Sequence, residues 1–513
     1  MKKTRLLLLF LCLCMILPLL VACGKTDNGD TDGGYKPKYD GLTRETAADL
    51  IPDDYDLEGE TIGLFYGNHV EKSVIGISDT TDIVYSKIHE RNLSVESRLN
   101  VDLDFIASNT TYWEDVVAII KQNVQTMSDA YEIVFTSNNT VTQQKLFNYF
   151  HDFNDSEYID ISADWWYEDA IMETSVDNYN YRFLYGDISI MDMGVAGTIY
   201  YNKELYEQYL STNKNPDELY YKVLDGQWTI EEFIRLTKKS HIERGGDGAN
   251  DIHGFSLFRG AEPIQYFREA AGIKMYERNE QGMPEFTLND ERSLTFLDKL
   301  FELIYENEGA WLFYPNQTGM EVEHSYDFSN GKVIFYLGIL NDTLGEGLHE
   351  TLKEGMREMK ADFGMLPYPK LDEFQEEYIS FMHNASVMTV CPVSTDIERV
   401  NEELSAVIEA LASESYRSVS VPYYETALKA AYNRDDLSSQ MIDIITGQHD
   451  TVKSKLTKNF VYEYSWNMGK LGHIFMTLMS EKSKNFSSTY DSLIYSAETG
   501  LKDLIQQYKD GKI

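Results

Sequence analysis

Cysteine is scarce in this chain: four in 513 residues, at positions 12, 14, 23 and 391. Only Cys391 belongs to the body of the chain, so no intrachain disulfide is expected and stability must come from core burial. Cys391 stands in an apolar stretch and reads as a small buried filler, not a reactive thiol. Basic residues are also few, 45 Lys and Arg against 84 Asp and Glu, giving a formal net charge of −39. Such a surface repels nucleic acid and anionic lipid head groups, and it disfavours a polyanionic ligand. The signatures of common enzymes are missing as well: no Gly-x-Ser-x-Gly elbow, no His-Glu-x-x-His zinc pattern, no Gly-x-x-x-x-Gly-Lys phosphate loop. His89-Glu90 is followed by Arg91-Asn92-Leu93, which breaks the zinc motif, and the ten histidines show no ligand spacing. Carboxylate pairs arise by chance among 84 acids and do not argue for a glycosidase. The reading is a non-enzyme that needs no cofactor.

What is present begins at the N-terminus. Lys2, Lys3 and Arg5 precede an apolar run from Leu6 to about Leu20, with no acidic residue before Cys23. This is a signal-peptide layout, too short and wrongly flanked for a permanent membrane helix. No second apolar stretch is long enough to span a bilayer. The run closes in Leu20-Val21-Ala22-Cys23, which resembles the lipobox of bacterial lipoproteins. The resemblance implies cleavage after residue 22, a diacylglyceryl group on Cys23, and a location on the outer face of the cytoplasmic membrane. Two or more acyl chains, at about 0.8 kcal/mol per buried CH₂, hold a protein stably where one is marginal. The alternative is an ordinary signal peptide with an incidental cysteine. Residues 23–54, rich in Gly, Asp, Thr and Lys, read as a flexible tether.

The remaining length suggests two lobes, and alternating strand and helix signals argue an α/β architecture. Thr61 to Tyr66, Val101 to Phe105, Glu132 to Phe135 and Val333 to Leu337 read as strands, the second with period-two alternation. Asp82 to Leu99 suits a helix. Capping boxes at Thr111–Glu114, Thr229–Glu232 and Thr395–Glu398 predict helix starts, the middle one with Trp228 stapled on Phe233. Asp247-Gly248-Ala249-Asn250-Asp251 suggests a Ca²⁺ loop, but the twelfth position from Asp247 is Phe258 where a bidentate Glu is needed. A solvated turn is the expectation there, and no metal.

Several short stretches resemble the bacterial extracellular solute-binding proteins of family 1, in a lipoprotein branch common in Firmicutes. They are Glu90-Arg91-Asn92 through Glu96–Val101, Tyr158-Ile159-Asp160 with Trp165-Trp166, Tyr185–Ser189, Tyr201–Leu205, Asp225–Thr229, Tyr423–Lys429 and Arg434-Asp435. Each is weak alone; their shared order carries the resemblance. It implies a periplasmic-binding-protein-like fold of type II, two α/β lobes joined by crossing strands and closing over a ligand. By analogy the crossings fall near 187–197, 332–340 and 384–396. Lobe one then holds 55–190 and 338–390, and lobe two holds 195–335 and 395–513. The implied function is capture of a carbohydrate, expected to be an oligosaccharide, and its delivery to a membrane permease of the ATP-driven (ABC) type by a monomeric binding protein. An oligopeptide-binding protein is the runner-up, with a surface glycoside hydrolase behind it.

Sugar recognition needs amides, carboxylates or Arg beside aromatic platforms. Tyr66 and Asn68 follow the first strand, and Asn138 and Asn139 the third, in loops that should face the crevice; plain turn chemistry explains the Asn residues equally well. Asp192 and Asn384 stand at two crossings. Glu262 belongs to Ala261-Glu262-Pro263, which is similar to a Glu-Pro-aromatic segment of maltodextrin-binding relatives, although Ile264 replaces the aromatic and Tyr266 is displaced by two. Tyr423 reads either as a crevice residue or as helix packing. Trp165 and Trp166 read as core.

Overall fold

The computed structural model describes residues 47–511 apart from 111, 239, 246–250, 259–260, 314–326, 345–355, 357–358 and 424–435. The expected signal, Cys23 and most of the tether lie outside the described residues, as do Thr111 and Asp247 to Asn250. All the described residues fall in one compact unit.

The first sheet has four strands, three of them β1 (Glu60–Tyr66), β2 (Val101–Ala107) and β3 (Ile133–Ser137). β1 pairs in parallel with both β2 and β3. Position in the sheet explains sequence pattern: β2 is the edge and alternates, with Val101 and Leu103 buried while Asp102 and Asp104 face solvent. β3, flanked on both sides, is buried along its whole length. A second, five-stranded sheet takes β4 (Gly197–Asn202), β5 (His253–Phe258), β8 (Ala310–Phe313), β9 (Val333–Ile339) and β10 (Phe363–Leu366) in the order β10-β4-β9-β5-β8. Between β5 and β8 a small hairpin projects, β6 (Tyr276–Arg278) on β7 (Pro284–Phe286). β11 (Tyr378–Phe381) later pairs with β13 (Ser454–Thr457), whereas β12 (Val387–Val390) returns to the first sheet, antiparallel to β3.

The helix starts follow their caps. Asp82 accepts the Val84 and Tyr85 N–H groups and opens Ile83–Leu99. Thr229 caps Ile230–Thr237, and Trp228 meets Phe233 edge-on at 5.8 Å. Glu232 does not close the expected box, because Arg235 and Lys222 hold its carboxylate. At the third site Asp396, not Thr395, is the cap.

The lobe boundaries need correction. β9 does not cross between sheets: β4 and β5 occupy both its edges, and the chain comes back to the same sheet as β10, antiparallel to β4. Segment 338–390 therefore contributes β10 to the second sheet and β12 to the first. Segment 395–513 is also divided. Helix Ser405–Ser418 packs on helix Ile83–Leu99 beneath the first sheet, and the buried Arg91 guanidinium donates to Ser415 Oγ at 2.9 Å. A long apolar run is ambiguous between a doubly flanked strand and a crossing, and here the flanked strand won.

Candidate functional site

The two sheets are linked by short stretches that run side by side. Ala196 bridges Met382, His383 N–H donates to Val195 O at 3.2 Å, and Leu340 N–H donates to Ala196 O at 3.0 Å. Close approach demands glycine here. A Cβ on Gly197 would sit 2.5 Å from the Tyr266 ring, and one on Gly194 would sit 2.2 Å from the Asn341 amide. In open α/β folds the ligand crevice lies at the strand ends, which places its expected floor at these stretches.

From the first sheet, the short helix Asn138–Thr142, which follows β3 where a loop was expected, meets the turn before β12. Asn138 N–H donates to Ser386 O at 3.0 Å, and Asn139 N–H donates to Asn384 O at 3.3 Å. Asn139 and Asn384 are both partly exposed. The Oδ1 of Asn139 is buried and has no hydrogen-bond partner among the described residues. Leaving such an acceptor unpaired costs about 1–3 kcal/mol, so the site favours any donor that can reach it. Asn68 behaves as turn chemistry: its Oδ1 accepts from Ser108 Oγ and Asn109 N–H, both at 3.1 Å, and ties the loops after β1 and β2 together. Tyr66 is only 4% exposed, a packing residue rather than an open platform.

Asn138 and Asp192 turn out to be interior struts. Both are fully buried. Asn138 accepts from Tyr185 Oη at 2.5 Å and donates to Glu463. Asp192 accepts from Gly186 N–H at 3.2 Å and Val387 N–H at 2.7 Å, and burial raises its pKa well above the carboxylate range. Glu463 in turn pairs with Lys458 at 3.2 Å, both side chains being almost wholly buried. Lys458 Nζ lies 3.4 Å from Met382 O and His383 O and 5.2 Å over the Tyr185 ring. Burial lowers the lysine pKa and raises that of Glu463. This pair was not among the residues singled out from the sequence. Its signal was a Lys and a Glu five residues apart inside the apolar run Leu456–Tyr464.

On the second side, Tyr266 lies in helix Ala261–Ala270 and is buried against Tyr368 at 5.2 Å and Phe381 at 5.8 Å. The Glu262 side chain lies outside those described. Tyr423 is buried and donates to Asn341 Oδ1 at 2.6 Å, which fits the packing alternative. Trp165 and Trp166 are core: their indole N–H groups donate at 2.9 Å to Oε1 and Oε2 of the same buried Glu409. Of the Asp247–Asp251 run only Asp251 is described, and its carboxylate accepts the Arg244 N–H at 2.9 Å. No group of three or more His, Cys, Asp or Glu among the described residues is placed to hold a metal ion.

No protein-family model matches the chain, and no curated protein matches it in sequence. Solved structures do match. The cyclic α-maltosyl-1,6-maltose binding protein from Arthrobacter globiformis superposes with a TM-score of 0.53 at 11% identity, over 86% of this chain and 99% of that one. The galacto-N-biose/lacto-N-biose I-binding protein of the ABC transporter from Bifidobacterium longum, in complex with lacto-N-biose, gives 0.50 at 9% identity, over 88% and 98%. At such identities the likeness speaks to architecture, and the chain has the two-domain α/β fold of the periplasmic binding proteins.

Proposed function

We propose that this chain is a lipid-anchored, extracytoplasmic solute-binding protein that captures a carbohydrate between its two halves and delivers it to an ABC-type permease. It performs no chemistry on its ligand. The observation that carries the reading is the orphaned Asn139 Oδ1 beside Asn384, at the strand ends where open α/β sheets take their ligands. A sugar hydroxyl is a donor of the right kind for that oxygen. Both solved relatives named above bind sugars, which supports a carbohydrate over a peptide. Contacts made only when the halves close would favour the closed state, so capture and closure are one equilibrium. The anchor rests on the Leu20–Cys23 stretch.

The test is a thermal-shift screen of residues 24–513 against mono- and oligosaccharides, with di- to pentapeptides alongside. A ligand that binds only the native state stabilises by about 2.7 kcal/mol at a hundredfold excess over Kd. That moves the midpoint by at least about a degree or two for a protein of this size. A shift with one sugar class supports the reading, and a shift with peptides alone overturns it. For the anchor, Cys23→Ala in the full chain should move the protein from the membrane fraction to the medium.

A further inference from the structure

The short helix Asn138–Thr142 carries Asn139, yet little within the helix fixes where it stands. Five residues make little more than one turn, too few to be stable alone, and the preceding Ser137 makes no capping bond. Its position is set from outside, by the segment from Lys458 to Asn467. Glu463 accepts from the Asn138 side-chain amide at one end. Asn467 Nδ2 donates to Thr142 O and Gln143 O at the other, both at 3.3 Å.

The same segment holds the opposite arm, which carries Asn384. Met382 N–H donates to Thr457 O at 2.9 Å and lays Lys458 beside the linking stretch. The lysine Nζ then reaches Met382 O and His383 O, each at 3.4 Å, and Glu463 Oε1 at 3.2 Å. An ammonium has three donors, and here each has an acceptor. The helical turn Phe460–Glu463, capped by Asn459 on the Tyr462 N–H at 3.2 Å, brings the carboxylate back over the lysine. These bonds close a circuit. It runs from Asn384 O to the Asn139 N–H, along the chain to the Asn138 amide, across to Glu463, to Lys458, to His383 O and back to Asn384. Both charged side chains are almost wholly buried, where directional bonds are strong.

We propose that Lys458 and Glu463 are positioning residues for the crevice: the circuit they complete sets the separation of Asn139 from Asn384, and with it the affinity for the captured sugar, although neither side chain touches the ligand. This rests on the reading of the crevice as the sugar site. A buried ion pair adds little stability over packed apolar side chains of the same size. What apolar packing does not supply is a fixed direction. Asn139 Oδ1, a buried acceptor with no partner among the described residues, needs one to meet a hydroxyl in line.

A double-mutant cycle tests it, read by calorimetric titration of the sugar that gives the largest shift in the thermal screen. Lys458→Met opens the circuit at His383. Paired with Glu463→Gln, the same change strands no charge, which keeps the test decisive if the single variant does not fold. Either variant should bind the sugar at least roughly fivefold more weakly than wild type, and neither should add a further loss to Asn139→Ala. A loss that does not act through Asn139 would instead multiply with it. Equal affinity of wild type and a folded circuit variant, or losses that multiply, overturns the proposal and leaves the sugar site standing. Failure of every sugar to bind the wild type overturns both.

Discussion

The molecule buries acidic groups in two places and treats them differently. Inside the first half, no cation among the described residues pairs with Glu409: two indole N–H groups bracket its oxygens, and burial pushes its pKa up to about 8. At the junction of the halves, Glu463 is paired with Lys458 and wired to Asn138, Tyr185 and the carbonyls of the linking stretch. The static core is served by a hydrogen-bonded acid that can stay neutral. At the junction, charge and countercharge come from one segment and reach both sides, so geometry there is fixed by directional bonds as well as by packing.

Breaking one partner of each arrangement should expose that difference. Lys458→Met strands Glu463 in the interior and should cost about 3–5 kcal/mol in denaturant unfolding, the largest single effect expected here. Glu409→Gln keeps the shape but turns an amide N–H₂ toward one indole donor, and should cost about 1–3 kcal/mol. Tyr423→Phe removes the hydroxyl that donates to Asn341 and should cost about 0.5–1.5 kcal/mol.

The comparison also has a pH signature. The Glu409 pKa is raised from 4.5 to about 8, so its contribution is complete below the unfolded value and is lost as pH climbs through the folded one. Wild-type stability should therefore fall more steeply between about pH 5 and 8 than that of Glu409→Gln, measured by urea unfolding across that window. Equal slopes would show that Glu409 does not titrate as described.

How much of this could be read from the residues varied with the kind of signal. Local periodicity and capping were legible: the β2 alternation, the Asp82–Leu99 helix and the Thr229 cap all have causes within a few residues of themselves. Sheet membership was not, because β9 looks the same whether it crosses or stays, and only its long-range partners β4 and β5 decide. The site divided along the same line. Asn139 and Asn384 come together at one end of the first sheet, Asn139 in the short helix Asn138–Thr142 where a loop was expected, but nothing local separates Asn139 from its neighbour Asn138, which a distant Glu463 and Tyr185 pull into the interior. Likewise Tyr266 and Tyr423 are aromatic in the right region, and their burial depends on Gly197, Tyr368 and Asn341, far off in sequence.

The most direct check is a calorimetric titration of the best-stabilising sugar into the wild-type protein and into Asn139→Ala. One saturable site is expected, with affinity at least roughly tenfold weaker in the variant and an unchanged melting midpoint without ligand. A sugar that binds both proteins equally, or no sugar binding at all, would contradict the placement of carbohydrate at the strand-end crevice.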